Sequence, residues 1–425
     1  MRQRQKRLLI ATWLAILTII CGLIGLGLGS LRYDGVAGLY QRIRVELISQ
    51  VNSLRPRPEF VPTPLPVATV DADTFAQQLD LPKPTPTLLA SNPTPTPLAT
   101  PTPAYQPARP AVELRGYQHM WQTWNNCGPA TLATNLSFFN HRVGQAEVAT
   151  VLKPNADDKN VSPEEMVAYA QEQGFQARVF INGNEEQLKL LLSNQLPVLI
   201  ETWLEPEPND GLGHYRLLIG YDDAAQEWIA SDSFVGTGVK PNETYRGIRV
   251  SYQEMDPLWA VFNRTYLILY PDRLTPLVQA IIGEDMSQSI MWQNSLQRFQ
   301  QEIQARPNDP FAWFNLGSSL VAMGQFEQAA IAYDQARNIG LPWRMLWYQF
   351  GPFEAYYQTG RYDELIGLAE ATIRTSGGEI EELFYWKGRA LAAKNDAAGA
   401  RQAWEEALAL KPTYAAAAAA LATLP

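Results

Sequence analysis

The sequence predicts an α+β domain with an antiparallel sheet, followed by an all-α repeat array, both carried behind an N-terminal membrane helix. Three observations lead there. A charge-free run follows a basic N-terminus. Two helical segments are succeeded by five strand-like runs, an order expected of an α+β domain. Beyond them, aromatic, glycine and alanine positions recur with a period near that of helical hairpin repeats. The chain has 425 residues and 46% hydrophobic content, enough for two or three cores. Its net charge of −9 supplies no basic surface, which argues against nucleic acid as a partner.

Arg2, Arg4, Lys6 and Arg7 form a basic tail at residues 1–7, ahead of "LLIATWLAILTIICGLIGLGLGSL" at 8–31. That run is long enough to cross a bilayer as one helix. Its basic flank should stay cytoplasmic, so the protein is expected at the cell membrane as a single-pass signal anchor, with everything after residue 31 extracytoplasmic. Cys21 lies inside this run, and the bulky Ile20 before it argues against a lipoprotein cleavage site. At 32–54, Leu39, Ile43, Leu47, Val51 and Leu54 keep helical spacing, which reads as a short juxtamembrane stalk helix. Residues 55–113 are rich in proline and threonine ("VPTPLPVATV", "NPTPTPLATPTP"). Proline fixes φ and removes amide donors, so this linker is expected to stay out of any core as a semi-rigid spacer of roughly 100–150 Å.

The first globular part spans 114–272. "GPATLATNLSFFN" reads as a helix beginning just after Cys127, and "VSPEEMVAYAQEQGF" as a second with Ser162 and Glu165 in a capping box. "QARVFI", "LPVLIETWL", "HYRLLIGYD", "EWIASDS" and "RTYLILY" read as strands. Residues 273–307 are expected to form connecting helices. From 308 to 425, Trp313, Leu316, Gly317, Leu320, Gly324, Phe326, Ala329, Tyr333, Ala336 and Pro342 set a pattern. It recurs around Gly351, Gly360 and Tyr362, and again around Phe384, Gly388, Ala400, Trp404 and Pro412. The pattern resembles the tetratricopeptide repeat (TPR), with "YAAAAAALATL" as a capping helix; the second repeat is looser. Such a resemblance implies a solenoid with a groove for a protein partner. It contains no nucleophile and base, so it is expected to recruit only, leaving the thiol chemistry to 114–272.

Cys127, in "WQTWNNCGPAT", has no covalent partner in sight, and His119, His141 and His214 are too scattered for a zinc cluster. A lone cysteine is ordinarily a small buried core residue. Here it stands at a helix start, where unpaired amides favour the thiolate, with Gly128 leaving access and Pro129 tolerated in the first turn. A thiolate nucleophile also needs an imidazole and a group to orient it. His214 begins one strand and Asp232 ends the next, and the "DDAAQ" turn between them should bring the two together across an antiparallel pair.

With "QTWNNCGPAT", "GHYRLLIGYD" and "ASDSF" in view, residues 115–272 resemble the papain-like cysteine peptidases of the double-glycine-leader (bacteriocin-processing) group. The resemblance implies a papain-like fold, with a helix carrying Cys127 and an antiparallel sheet carrying His214 and Asp232. It implies Cys127 as nucleophile, His214 as general base and acid, and Asp232 as its orienting partner. It also implies Gln122 as an oxyanion donor, although Gln122 stands five residues before the cysteine where relatives commonly show six. The transporter domains that accompany leader-cleaving relatives are missing, so leader cleavage is not implied. The expectation is a membrane-anchored extracytoplasmic cysteine peptidase acting on a peptide or protein substrate, without cofactor or metal, with the repeats docking a protein partner. A silent binding module on the repeat scaffold, and a thiol-dependent acyl transferase or amidase acting on the cell envelope, remain open beside it.

Overall fold

A computed structural model describes residues 105–205, 211–234, 237–238 and 244–424, together with 58–66 and the positions 36, 39, 40, 42–44, 47 and 75. The expected membrane segment at 8–31 lies outside the described residues. Among the described residues no helix is long and apolar enough to cross a membrane. The described positions between 36 and 47, inside the expected stalk, are helical.

Seven strands make one sheet: β1 (Ala111–Glu113), β2 (Gln176–Phe180), β3 (Val198–Leu204), β4 (Leu212–Asp222), β5 (Glu227–Asp232), β6 (Ile248–Ser251) and β7 (Tyr266–Tyr270). Their order is β2-β7-β3-β4-β5-β6, with β1 paired to β4, and every pair is antiparallel. The five strand-like runs expected from sequence are β2, β3, β4, β5 and β7. β3, β4 and β7 are near-continuous apolar runs because both of their faces are covered. Beyond β3, β1 takes the place beside the end of β4, opposite Gly220. A side chain on Gly220 would meet the Val112 carbonyl oxygen at 2.1 Å, so only glycine lets β1 approach.

The helices of this domain are α1 (Cys127–Phe138), α2 (Gln145–Leu152), α3 (Pro163–Glu172), α4 (Glu185–Ser193) and α5 (Tyr252–Ala260). α1 is buried along Gly128–Ser137, as a helix apolar on all sides must be. The Ser162–Glu165 capping box starts α3, and a second box, Ser251 with Glu254, starts α5. Helices and strands interleave more than the sequence order suggested, because α4 and α5, nine residues each, fall between strands.

Then come α6 (Thr275–Ile282) and α7 (Gln288–Ala305), in the expected connecting region, and three helical hairpins: α8 (Pro310–Ala322) with α9 (Phe326–Ile339), α10 (Gly351–Gln358) with α11 (Tyr362–Ser376), and α12 (Glu381–Ala393) with α13 (Ala397–Leu410). The helix α14 (Ala415–Ala422) caps them. Small residues are required where the paired helices meet: a Cβ on Gly317 would lie 2.7 Å from the Tyr333 ring, and one on Gly388 2.4 Å from the Trp404 indole.

Two expectations need correction. The 55–113 linker is not a free spacer throughout, nor does the sheet domain begin at 114. Val61 donates its amide to the Leu341 carbonyl at 2.8 Å, Arg337 holds the Pro62 carbonyl at 2.8 Å, and Phe75 is buried against Trp313. β1 lies wholly within the stretch assigned to the linker. Proline excludes a segment from a ladder interior, but it does not stop a neighbouring apolar side chain from filling a groove.

The repeats are also no detached appendage. Met291 of α7 sits in the sheet domain's core, whereas Leu296, Phe299 and Ile303 of the same helix belong to a second core shared by Trp203, Phe262 and helices α8 to α12. At the other end, Asn155 and Asn160 donate to Glu379 and Glu382 at 2.7 and 3.2 Å, and Lys411 bridges Glu165 and Glu381.

Candidate active site

α1 begins at Cys127, where Asn125 turns the chain at φ 55° and Asn126 occupies the cap with no side-chain bond to the first helical amides. The preceding loop is held by Gln145, the first residue of α2. Its Oε1 accepts from the Thr123 amide (2.9 Å) and from Asn126 Nδ2 (3.1 Å), and its Nε2 donates to the Trp121 carbonyl (2.7 Å). These bonds fix where the half-buried thiol emerges. The first amides of α1 are free to face negative charge there.

On the sheet, the four-residue turn after Asp222 returns β5 along β4, so that Arg216 pairs with Asp232 and His214 lies two residues further along β4. His214 Nε2 donates to Asp232 Oδ1 at 2.8 Å. That bond fixes the tautomer, because a carboxylate can only accept. Nδ1 makes no conventional hydrogen bond and is the ring nitrogen left for the Cys127 sulfur, with which the imidazole interacts.

Asp232 is anchored on several sides. Its Oδ2 accepts from Arg216 Nε (2.9 Å), its Oδ1 also accepts from the Phe234 amide (2.8 Å), and its own amide donates to the Tyr245 hydroxyl (3.0 Å). Arg216 Nη1 donates to Thr202 Oγ1 at 3.1 Å.

The charges follow from these contacts. Burial would raise Asp232, but the charges and hydrogen bonds of His214 and Arg216 outweigh it and hold the carboxyl well below its usual range. Burial would lower His214, but Asp232 and then Cys127 raise it to about 9. Burial pushes the Cys127 thiol up, and the neighbouring His214 imidazole, then the Tyr215 backbone and the charge of Lys153, bring it below its ordinary value. An imidazolium facing a thiolate is the state these shifts favour.

Gln122 reaches the same place from the other side. Its amide donates to the Ser233 carbonyl at 2.8 Å, and its Oε1 accepts from Ser233 Oγ at 3.0 Å, which leaves the Nε2 end for donation elsewhere. Thus all four residues expected from sequence, Cys127, His214, Asp232 and Gln122, converge at the start of α1 and the adjacent ends of β4 and β5. Trp121 packs edge-on against His119 (4.2 Å) and Tyr245 (4.7 Å), and Trp203 lies in the second core, so aromatic packing accounts for both.

Sequence reasoning missed Arg216, Ser233, Tyr245 and His119. Arg216 was within reach of strand alternation, since it shares a face with His214 two residues before it. Tyr245 and His119, whose Nδ1 meets Ser231 Oγ at 2.8 Å, carry no local signal. Among the described residues, no cluster of His, Cys, Asp and Glu could hold a metal ion.

Residues 114–260 match the Peptidase_C39 like family. No curated protein matches the chain. Among solved structures, the peptidase domain of Streptococcus ComA, a bi-functional ABC transporter involved in a quorum-sensing pathway, is 18% identical; the match covers 37% of this chain and 100% of that one, with a TM-score of 0.29. A putative C39-like peptidase from Bacillus anthracis is 15% identical over 38% of this chain and 97% of that one, at a TM-score of 0.30. A thermophilic TPR protein from Thermus thermophilus is 18% identical over 36% of this chain and 78% of that one, at a TM-score of 0.24.

Proposed function

With the Peptidase_C39 like match over residues 114–260 as premise, we propose that the chain is a cysteine peptidase cutting a peptide or protein substrate with Cys127, His214 and Asp232. The observation that supports it best is the orientation of His214: Nε2 is tied to Asp232 at 2.8 Å, which leaves Nδ1 for a thiol at a helix start. In this reading the Cys127 thiolate attacks the scissile carbonyl while the Cys127 amide and Gln122 Nε2 hold the oxyanion. His214 protonates the leaving amine, and the thioester is then hydrolysed by water that His214 deprotonates. In the same reading the repeats offer a groove to a protein partner, and the basic N-terminus followed by an apolar run supports anchoring with the assembly outside the cytoplasmic membrane.

The test is labelling by an active-site-directed thiol probe, followed by turnover of a peptide pool. Labelling and cleavage that both vanish in Cys127→Ala support a peptidase. Labelling without cleavage would favour a binding role, and products joined to an added amine in place of water would favour acyl transfer.

A further inference from the structure

The second repeat departs from its neighbours where it faces the sheet domain. Its first helix, α10, is only eight residues long, and the chain before it, from Leu341 to Phe350, runs irregularly through a single 3-10 turn at Met345–Trp347. That irregular segment reaches the strand that carries His214. A side chain on Gly213 would meet the ring carbons of Tyr348 at 3.1–3.2 Å, so the Tyr348 ring lies flush against the backbone immediately before His214. Arg344 Nη1 donates to the Gly211 carbonyl at 3.4 Å, while its guanidinium stacks on Trp343 at 4.4 Å. The Phe262 ring approaches Tyr348 edge-on at 6.1 Å, and Trp203, paired with Gly213 in the sheet, approaches Phe262 at 6.0 Å.

We propose that Tyr348, supplied by the repeat array, is a positioning residue for His214, so that the repeats complete the candidate active site as well as recruiting to it. The proposal rests on the nucleophile reading given above. Strand β4 begins only at Leu212 and β5 joins it only from Arg216, so the backbone at His214 is paired on the β3 side alone. The Tyr348 ring supplies restraint there by packing. The environment of its phenol is consistent with that place: burial raises it above the usual tyrosine range, the charge of Arg344 opposes the rise, the charge of Cys127 adds to it, and the Gly213 amide opposes it. An imidazole displaced by about 1 Å forfeits a large factor in rate, so the packing is expected to show in the thiol's reactivity.

The experiment measures the rate of Cys127 alkylation by iodoacetamide against pH in the full-length protein. The wild type should react well below pH 8.5. Tyr348→Ala should lose roughly tenfold in rate at pH 6 and shift its inflection towards that of a free thiol, and Tyr348→Phe should restore most of the loss, because the ring is what packs. Gly213→Ala, which presses on the ring while keeping it, should also slow the reaction, and should do so less when Tyr348→Ala is already present. A wild-type profile with the low-pH limb, superimposable on that of a folded Tyr348→Ala protein, overturns the positioning role alone; additive effects of the Gly213 and Tyr348 changes do the same. A wild type without the low-pH limb overturns the nucleophile reading, and this inference with it.

Discussion

The proposed roles of Cys127, His214 and Gln122 can be separated by what each substitution loses. Cys127→Ala should abolish turnover with little change in melting temperature. His214→Ala should do nearly the same, since the thiol loses its base and the leaving amine its donor, and general acid–base catalysis alone contributes about 10²–10⁴-fold. Gln122→Ala should cost on the order of 10²-fold in kcat if its Nε2 is an oxyanion donor. The pH profile of kcat/KM should be bell-shaped. Its acid limb, from protonation of the thiolate, should lie below the ordinary thiol range, and its alkaline limb near 9, where His214 gives up its proton. A limb at 8.5 that survives His214→Ala would mark Cys127 as an unassisted thiol. Arg216→Met leaves the buried Asp232 charge with one cation fewer, and should lower stability by about 3 kcal/mol or more. Because the Asp232 carboxyl is held well below its unfolded value, that loss should be fully present above about pH 4 and disappear only as the pH falls through the carboxyl's depressed folded-state range. Urea denaturation stepped from about pH 7 down to about pH 2 would read it.

Between residue and molecule, the site depends on two elements meeting: the start of α1, and the β4–β5 pair whose register puts Arg216 opposite Asp232. That register is set by a four-residue turn, where the Asp222 carboxylate accepts from the Ala224 amide at 3.0 Å, and by the irregularity between Leu218 and Gly220 that admits β1. Gly220→Val would drive side-chain carbon into the Val112 carbonyl. It should expel β1 and destabilise the domain by about 1–3 kcal/mol, the usual range for overpacking. The check is accelerated amide exchange confined to Val112 and Leu114 and the facing part of β4. Uniform exchange across the sheet would mean that β1 is not a separate addition.

For the whole molecule, the second core makes the repeats and the sheet domain interdependent. Deleting 308–425 would strip Trp203, Phe262, Leu296, Phe299 and Ile303 of much of their covering. Each fully buried side chain of this kind is worth ~1.5–3 kcal/mol. The truncated chain should therefore be degraded rapidly by a low dose of protease that leaves the full-length protein intact. Equal resistance would mean that the two parts fold independently. The proposed topology is tested separately: protease added to intact spheroplasts should release a soluble fragment cut between Arg55 and Pro110, and protection until detergent is added would reverse the orientation.

What the sequence determined was local. Five strands, the capping box at Ser162, the hairpin glycines and the cysteine at a helix start are each written in a few consecutive residues, and the pairing of His214 with Asp232 follows from one short turn. Tertiary structure decided what depends on surfaces far apart in the chain. Arg216 could have faced solvent, and only the burial of β4 on both faces makes it the second anchor of Asp232. Phe60 and Val61 lie in a stretch whose prolines forbid regular structure, yet they run alongside Leu341 and Pro342 because a groove is there to receive them. Tyr348 reaches Gly213 for the same reason. Short-range patterns report hydrogen bonds and periodicity, whereas the fit of one apolar surface against another is set only when both have folded.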